Sequence, residues 1–508
     1  MASTDLRLDN IQGNSIGGFS KDFETLLFLK FKTAATARVW IKEITDSEFG
    51  VAKSSSEQVL KFNAQFKALR ATGVNPESVI GTAWTNLALT HRGLHALGVK
   101  LADLAAFPDA FKQGMAARKA KIGDAGASDP KKWIAPFNAP SDLHAVLIVA
   151  ADQEAFLKDR VAEITGTAAF KAGVTILADP VEGRTRVDES GHEHFGFKDG
   201  VSQPGIRGVT PPDDPLGNPN QGQPGQDLLW PGEFVLGYPT QIAHAKAGVD
   251  GPNPDPGPFS KSGPAWTSDG TYLVFRRLAQ DVPGFRQQVE ALAQKHGVSH
   301  DLMGAKLVGR YKSGCPLELR TFEPAHVPSS TDPGKGIPAL GGNDTLNNNF
   351  EFGDDPLGAV CPLASHIRKA YPRDEQTLPR ADDSESATQT HRLLRRGIPF
   401  GTSYGSAPAT NASDTRGLLF MCYQKDIEKQ FEFVQANWVN DPTFPGFPKG
   451  HKDPGQDPII AQSPHGIFQL DPSKPAIQVK HFVTTTGGEY FLAPSVQALR
   501  DLGDNKMR

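Results

Sequence analysis

Three short segments carry residue types that acid-base and metal chemistry draw on. Gly196-Phe197-Lys198-Asp199-Gly200 sets an aspartate just before a glycine. Ser365-His366-Ile367-Arg368-Lys369 sets a histidine among cations, and Arg395-Arg396-Gly397-Ile398-Pro399 doubles an arginine. Taken singly, each has a plain structural reading: a turn aspartate, a surface histidine, and a basic helix end or solvated turn. Other patterns suggest other chemistry. His192 and His194, at i and i+2, would share one face of a strand and could hold a metal, but no third ligand accompanies them. Gly401-Thr402-Ser403-Tyr404-Gly405 fits the GxSxG nucleophile elbow, which needs a strand before it and a helix after it. Here both flanks read as loop. The acidic run Glu351-Phe352-Gly353-Asp354-Asp355, with Asp213 and Asp214, offers the oxygen ligands that a hard cation such as Mn(II) takes. A solvated acidic loop is its simpler reading. There is no GxxxxGK[ST] loop, no HExxH and no GxGxxG after a strand.

The elements that must position these residues follow a recurring pattern. Four times an apolar strand candidate leads into an amphipathic helix candidate: Thr25–Phe31 into Ala34–Thr45, His144–Ala150 into Gln153–Ile164, Tyr272–Leu278 into Pro283–His296, and Gly417–Tyr423 into Asp426–Trp438. The helices space apolar residues at helical intervals: Phe156, Val161 and Ile164; Phe285, Val289 and Leu292; Ile427, Phe431 and Val434. Asp152 and Asp426 open two of them, as N-termini favour. Each unit needs a further strand, for which Ala172–Ala178 is one candidate. Two pairs of such units predict a duplicated β-α-β chain, an α+β fold with antiparallel sheets flanked by helices. The predicted divisions are residues 1–203, a Pro/Gly-rich connection over 204–268, and 269–508. That connection holds Trp230, Phe234, Tyr238 and Trp266, which predicts an ordered covering rather than a disordered loop.

Composition narrows the function classes. The 508 residues carry 53 basic and 57 acidic side chains, net −4, without a Lys/Arg block, so nucleic-acid binding is not expected. No run of about 18 apolar residues predicts a membrane span. Met1–Arg7 shows no basic region followed by an apolar core, so no secretory leader is expected in the sequence as given. Cys315, Cys361 and Cys422 allow one disulfide at most and no CxxCH haem attachment. Asn343-Asp344-Thr345 and Asn411-Ala412-Ser413 are acceptor sequences for glycosylation if the chain is secreted.

In this order along the chain, Gly196-x-x-Asp199-Gly200, Ser365–Lys369 and Arg395–Pro399 resemble the motifs of the dye-decolorising peroxidases, most closely the fungal branch. Leu8-Asp9-Asn10-Ile11-Gln12-Gly13 and Gly417-Leu418-Leu419-Phe420 extend the likeness over almost the whole chain. The resemblance implies two ferredoxin-like halves with one haem b per chain in the C-terminal half. It implies His366 as the axial iron ligand, Asp199 as the acid-base, and Arg395 (with Arg396 as the fallback) as the cation beside the departing oxygen. Gly200 would lie at the cofactor, Leu418 and Phe420 would wall a dry distal pocket, and Arg368 would pair with a haem propionate. The acceptor for the second nitrogen of His366 is not evident.

A carboxylate base stays ionised in mild acid where histidine would be protonated, which predicts an acidic activity optimum. The implied substrates are hydrogen peroxide and dyes, phenols or other aromatic donors, possible Mn(II) aside, and the implied location is extracellular. Large dyes would need surface aromatics to carry electrons inward. Trp438, Tyr404 and Tyr371 are the candidates, while Phe400 stands where the fungal pattern can carry an oxidisable tyrosine. The same motifs also suit a haem-binding or iron-releasing protein with little peroxidase turnover.

Overall fold

The computed structural model describes residues 5–76, 79–214, 217–244, 251–319, 346–374, 385–405, 416–446, 453–463 and 465–507. The sequences at Asn343 and Asn411 lie outside these residues.

Ten strands form one sheet: β1 (Phe23–Phe31), β2 (Ala83–Leu89), β3 (Ala145–Ala151), β4 (Val174–Ile176), β5 (Val181–Arg184), β6 (Thr271–Gln280), β7 (Leu394–Arg395), β8 (Ile398–Gly401), β9 (Arg416–Gln424) and β10 (Val483–Ala493). The order along the main path is β8-β9-β6-β10-β2-β3-β1-β4, with β5 on β1 and β7 on β9. Read within each half, the strands run fourth, first, third, second in both cases: β4-β1-β3-β2 and β10-β6-β9-β8. This repeated antiparallel order is the predicted pair of ferredoxin-like halves. They join where Leu492 of β10 meets Leu89 of β2. At the far edges Gly183 of β5 sits directly against Ile398 of β8, so the sheet curls toward closure and a side chain at 183 would have no room.

Strands β2 and β3 are buried at every position, which is why β3 reads as a continuous apolar run rather than an alternating one. Helix α1 (Ala34–Asp46) is opened by Thr33, whose side chain accepts from the Thr36 amide, and buries Ala37, Trp40, Ile41 and Ile44. Helix α2 (Glu154–Gly166) turns Leu157 and Ile164 inward, whereas Phe156, predicted to be buried, is 39% exposed. Helix α3 (Val282–His296) buries Phe285, Val289 and Leu292 as its spacing predicts. Asp281 caps its start by accepting from the Gly284 amide, and Gly297 ends it with φ 65°.

The fourth predicted helix is not regular. One helical turn, Phe431–Phe433, runs into a π-helix over Val434–Val439. The widened turn faces the cavity described below, in keeping with the tendency of such bulges to mark functional sites. The connecting region is a structural covering: Trp230, Phe234, Val235, Leu236 and Tyr238 are buried. Among the described residues no helix is long and apolar enough to cross a membrane. All three cysteines are free and buried.

Candidate active site

A cavity opens against the C-terminal half-sheet. Its walls include Asp199, Gly200, Arg395, Leu418, Phe420 and His366, so six residues singled out in the sequence converge from four distant segments. Leu418 and Phe420 alternate on β9 and face the cavity together, half-buried.

On one wall the 191–200 loop presents Asp199. Three glycines with positive φ, Gly191 (78°), Gly196 (98°) and Gly200 (74°), allow its tight turns. The Asp199 amide donates to the Gly191 carbonyl at 2.9 Å. Its carboxylate Oδ1 accepts from the Gly200 amide at 2.6 Å and from Arg395 Nη1 at 3.0 Å. Arg395 Nη2 donates to the Ser202 carbonyl at 2.9 Å, and Gln203 bonds the Arg395 backbone in both directions, at 3.0 and 3.3 Å. The pair is thus oriented by backbone, yet Asp199 and Arg395 stay 36% and 33% exposed.

Glu193 holds the loop from below. Its two carboxylate oxygens accept from the Phe195 and Phe197 amides, each at 2.8 Å, and from Gln280 Nε2 at the end of β6. Arg396 faces elsewhere, donating to the carbonyls of Asn14, Ser15 and Ile16. It is therefore Arg395 that meets Asp199.

On another wall helix α4 (His366–Ala370) begins at His366. Its Nδ1 lies 2.8 Å from Asp457 Oδ2. Asp457 is fully buried, and its other oxygen accepts from the Ile459 and Ile460 amides at 2.7 and 3.0 Å. Burial alone would lower the His366 pKa, but the Asp457 carboxylate outweighs it and the value is raised. Burial likewise opposes the charge on Asp457, while His366 and the two amides hold its pKa below the usual range. The proton is fixed at Nδ1, which leaves Nε2 as the free nitrogen of a ring that lines the cavity. A ligating imidazole needs this arrangement.

Arg310 is a further cation at this cavity. It is buried at the cavity wall and donates to the carbonyls of Gly314 (2.9 Å) and Asn347 (2.6 Å), with no carboxylate partner among the described residues. Burial pushes its pKa down to about 9. A buried cation aimed at a cavity without a counter-charge suits a ligand that brings carboxylates of its own. Together with the free His366 nitrogen and the apolar Leu418 and Phe420, these residues fit a haem.

Several predicted roles are corrected. Arg368 does not reach the cavity. It is wholly buried, donating to the Cys361 and Asp355 carbonyls at 2.7 and 2.8 Å and lying 3.3 Å from the Asp355 carboxylate. Trp438 is not a surface residue: it is 4% exposed, stacked on Phe444 at 5.5 Å and edge-on to His391 and Phe433. Tyr404 is half-buried between Arg286 and Arg416 and does not line the cavity. Tyr371 does line it, its phenol donating to Asp227 at 2.8 Å.

His192 and His194 do not form a metal pair. His194 is buried against the Phe400 carbonyl at 2.8 Å, and burial takes its pKa down to about 4. Ser403 donates to Asp188 at 2.7 Å; strand β8, not the expected loop, precedes it, and the residues after Gly405 lie outside those described. Asp355 is spent on the amides of Ala359, Val360 and Cys361, and no group of three potential metal ligands occurs among the described residues.

Comparison with known proteins agrees with this architecture. Residues 10–186 match the model of the DyP dimeric alpha+beta barrel domain, and residues 253–443 match that of the Dyp-type peroxidase C-terminal domain. The dye-decolorizing peroxidase msp1 of Mycetinis scorodonius is 31% identical over 98% of this chain and 88% of its own length. The solved structure of an ancestral D-type dye decolorizing peroxidase superposes with a TM-score of 0.78 at 32% identity, covering 98% of this chain and 99% of that one. A dye-decolorizing peroxidase solved with 2,6-dimethoxyphenol superposes at 0.73 with 30% identity, covering 98% and 100%. The chain belongs to the dye-decolorizing peroxidase family.

Proposed function

We propose that this protein is a haem b peroxidase that uses hydrogen peroxide to oxidise dyes, phenols and other aromatic donors. The observation that carries the reading is one cavity walled by two devices: His366 backed by buried Asp457, and Asp199 paired with Arg395 at 3.0 Å. His366 Nε2 would hold the iron, and Arg310 would meet a propionate. Bound haem supplies the centre at which peroxide is activated and from which donors are oxidised.

The chain's own residues supply the rest. Asp199 takes a proton from peroxide and returns it to the departing oxygen. Arg395, permanently charged and held by the Ser202 carbonyl, stabilises the negative charge on that oxygen without reorganising. Leu418 and Phe420 keep water from competing. The phenol bound by the structural relative supports aromatic donors as the class.

Absorption spectra before and after one equivalent of peroxide test the reading. The wild type is expected to show a Soret band that changes with peroxide and returns when a dye is added. His366→Ala should fail to hold haem. A wild-type protein that shows no Soret band when haem is supplied overturns the proposal.

A further inference from the structure

A second cavity adjoins the first. Asp199 and Arg395 line both, and Glu24 of β1 also lines the second. Glu24 is 5% exposed, yet its carboxyl makes no hydrogen bond or ion pair with any described residue. The charged and titratable groups around it are already committed or carry no positive charge to offer. Lys21 is held by both oxygens of Asp152 at 2.7 and 2.8 Å, Arg395 by Asp199, and Arg396 by backbone carbonyls. Asp22, Glu193 and Asp199 are acids, Tyr423 faces it from β9, and His192 is engaged by the Ser190 and Lys312 carbonyls. A buried, unpaired carboxyl facing a polar cavity is costly if it is only structural.

We propose that Glu24 is a proton-relay residue, exchanging protons between bulk water and Asp199 through this second cavity. The inference rests on the peroxidase reading and on the role given there to Asp199. Reducing one hydrogen peroxide to two waters consumes two electrons and two protons. A dye too large for the distal pocket gives up its electrons elsewhere, so both protons must arrive from water. In each transfer the O–H bond of Glu24 breaks and a proton passes through cavity water to an Asp199 carboxylate oxygen. A proton from bulk water then restores Glu24, and no electron moves there. Burial supports the role by raising the Glu24 pKa to about 8, so that the group carries its proton at neutral pH.

Glu24→Gln keeps the shape and removes the exchangeable proton. The single reaction with one equivalent of peroxide needs no outside proton and should proceed at the wild-type rate. Turnover at saturating dye should fall on the order of 100-fold, the lower end for positioned proton transfer, and added acetic acid should restore it. Infrared spectra of the full protein without haem should show a carboxylic-acid band that titrates near pH 8 and is missing in the variant. Unchanged turnover, a loss that acetic acid does not restore, or absence of that band in the wild type overturns the relay. Asp199→Asn separates the two claims: if it leaves the single peroxide reaction unaltered, the active-site reading itself fails.

Discussion

The two functional walls of the cavity are built to opposite rules. His366 rests on a carboxylate with no exposure, held by two backbone amides and drawn within 2.8 Å of the ring. Asp199 and Arg395 are each about one-third exposed, border a second cavity, and share a single 3.0 Å contact. A ligand-holding imidazole benefits from a fixed tautomer and a fixed direction, which burial supplies. A group that must pick up and release protons needs contact with water, which burial would deny. The contrast teaches that rigidity is allotted by role: the holding side is anchored through a buried carboxylate, and the reacting side through partly exposed contacts to backbone and to Gln203.

The largest expected effect breaks the exposed side alone. Asp199→Asn removes the base while keeping the Gly200 and Arg395 neighbours, so the rate of reaction with peroxide should fall about 10²- to 10⁴-fold. The Soret band should keep its wild-type intensity. Stopped-flow absorbance reads both, and a simultaneous loss of haem would show that the two walls are not independent.

Glu24 gives the next largest effect, in stability. Its carboxyl titrates at 4.5 when unfolded and at about 8 when folded. A raised folded value means the stabilising contribution is complete below 4.5 and is lost as pH rises to about 8. Relative to Glu24→Gln, the wild type should lose on the order of 5 kcal/mol across that window, at about 1.4 kcal/mol per pH unit. Denaturant titrations at several pH values check it, and parallel stability curves for the two proteins would contradict it.

The anchored side should respond differently. Asp457→Asn keeps the shape but removes the charge that fixes the His366 proton, and haem affinity should drop about 10- to 100-fold. Haem transfer to an apo-globin acceptor measures this. The peroxide rate of the haem-loaded fraction should change less than in Asp199→Asn, and the reverse ranking would refute the division of labour.

Much of this was legible in the sequence, for physical reasons that also mark the limits. Strands β1, β3, β6 and β9 are apolar runs, and each lies within three residues of its predicted span. Strand β2 is equally buried but interrupts its run with Trp84-Thr85-Asn86, and Asn86 accepts from the Asn14 amide inside the barrel, so its polarity hides it. The order of the motifs pointed to Asp199, His366 and Arg395. Asp457 was invisible because it stands 91 residues from its partner and is joined to it only by the fold. Arg368 was misread because proximity along a helix is not proximity in space. Two residues turn a helix by about 200°, so the second residue after His366 faces away from whatever His366 faces. Arg310, far from any motif, is buried at the cavity wall that Arg368 was expected to reach. The regular helix predicted after β9 fails because hydrophobic spacing does not distinguish an α-turn from a π-turn when both bury Val434 and Trp438.

The smallest expected effect concerns Trp438, whose exposure of 4% bars direct contact with a bulky donor. The indole is packed between Phe444 and the His391–Phe433 stack, so its place is structural. Trp438→Phe keeps an aromatic plane and should leave the turnover of a large dye unchanged. The lost packing should lower the melting temperature. The comparison that gives this result its meaning is Tyr371→Phe, because Tyr371 lines the cavity and can pass its phenolic proton to Asp227 at 2.8 Å as an electron leaves the ring. Large-dye turnover should fall more in Tyr371→Phe than in Trp438→Phe, while oxidation of a small phenol is affected less. A selective loss of large-dye turnover in Trp438→Phe would return the electron path to the tryptophan despite its burial.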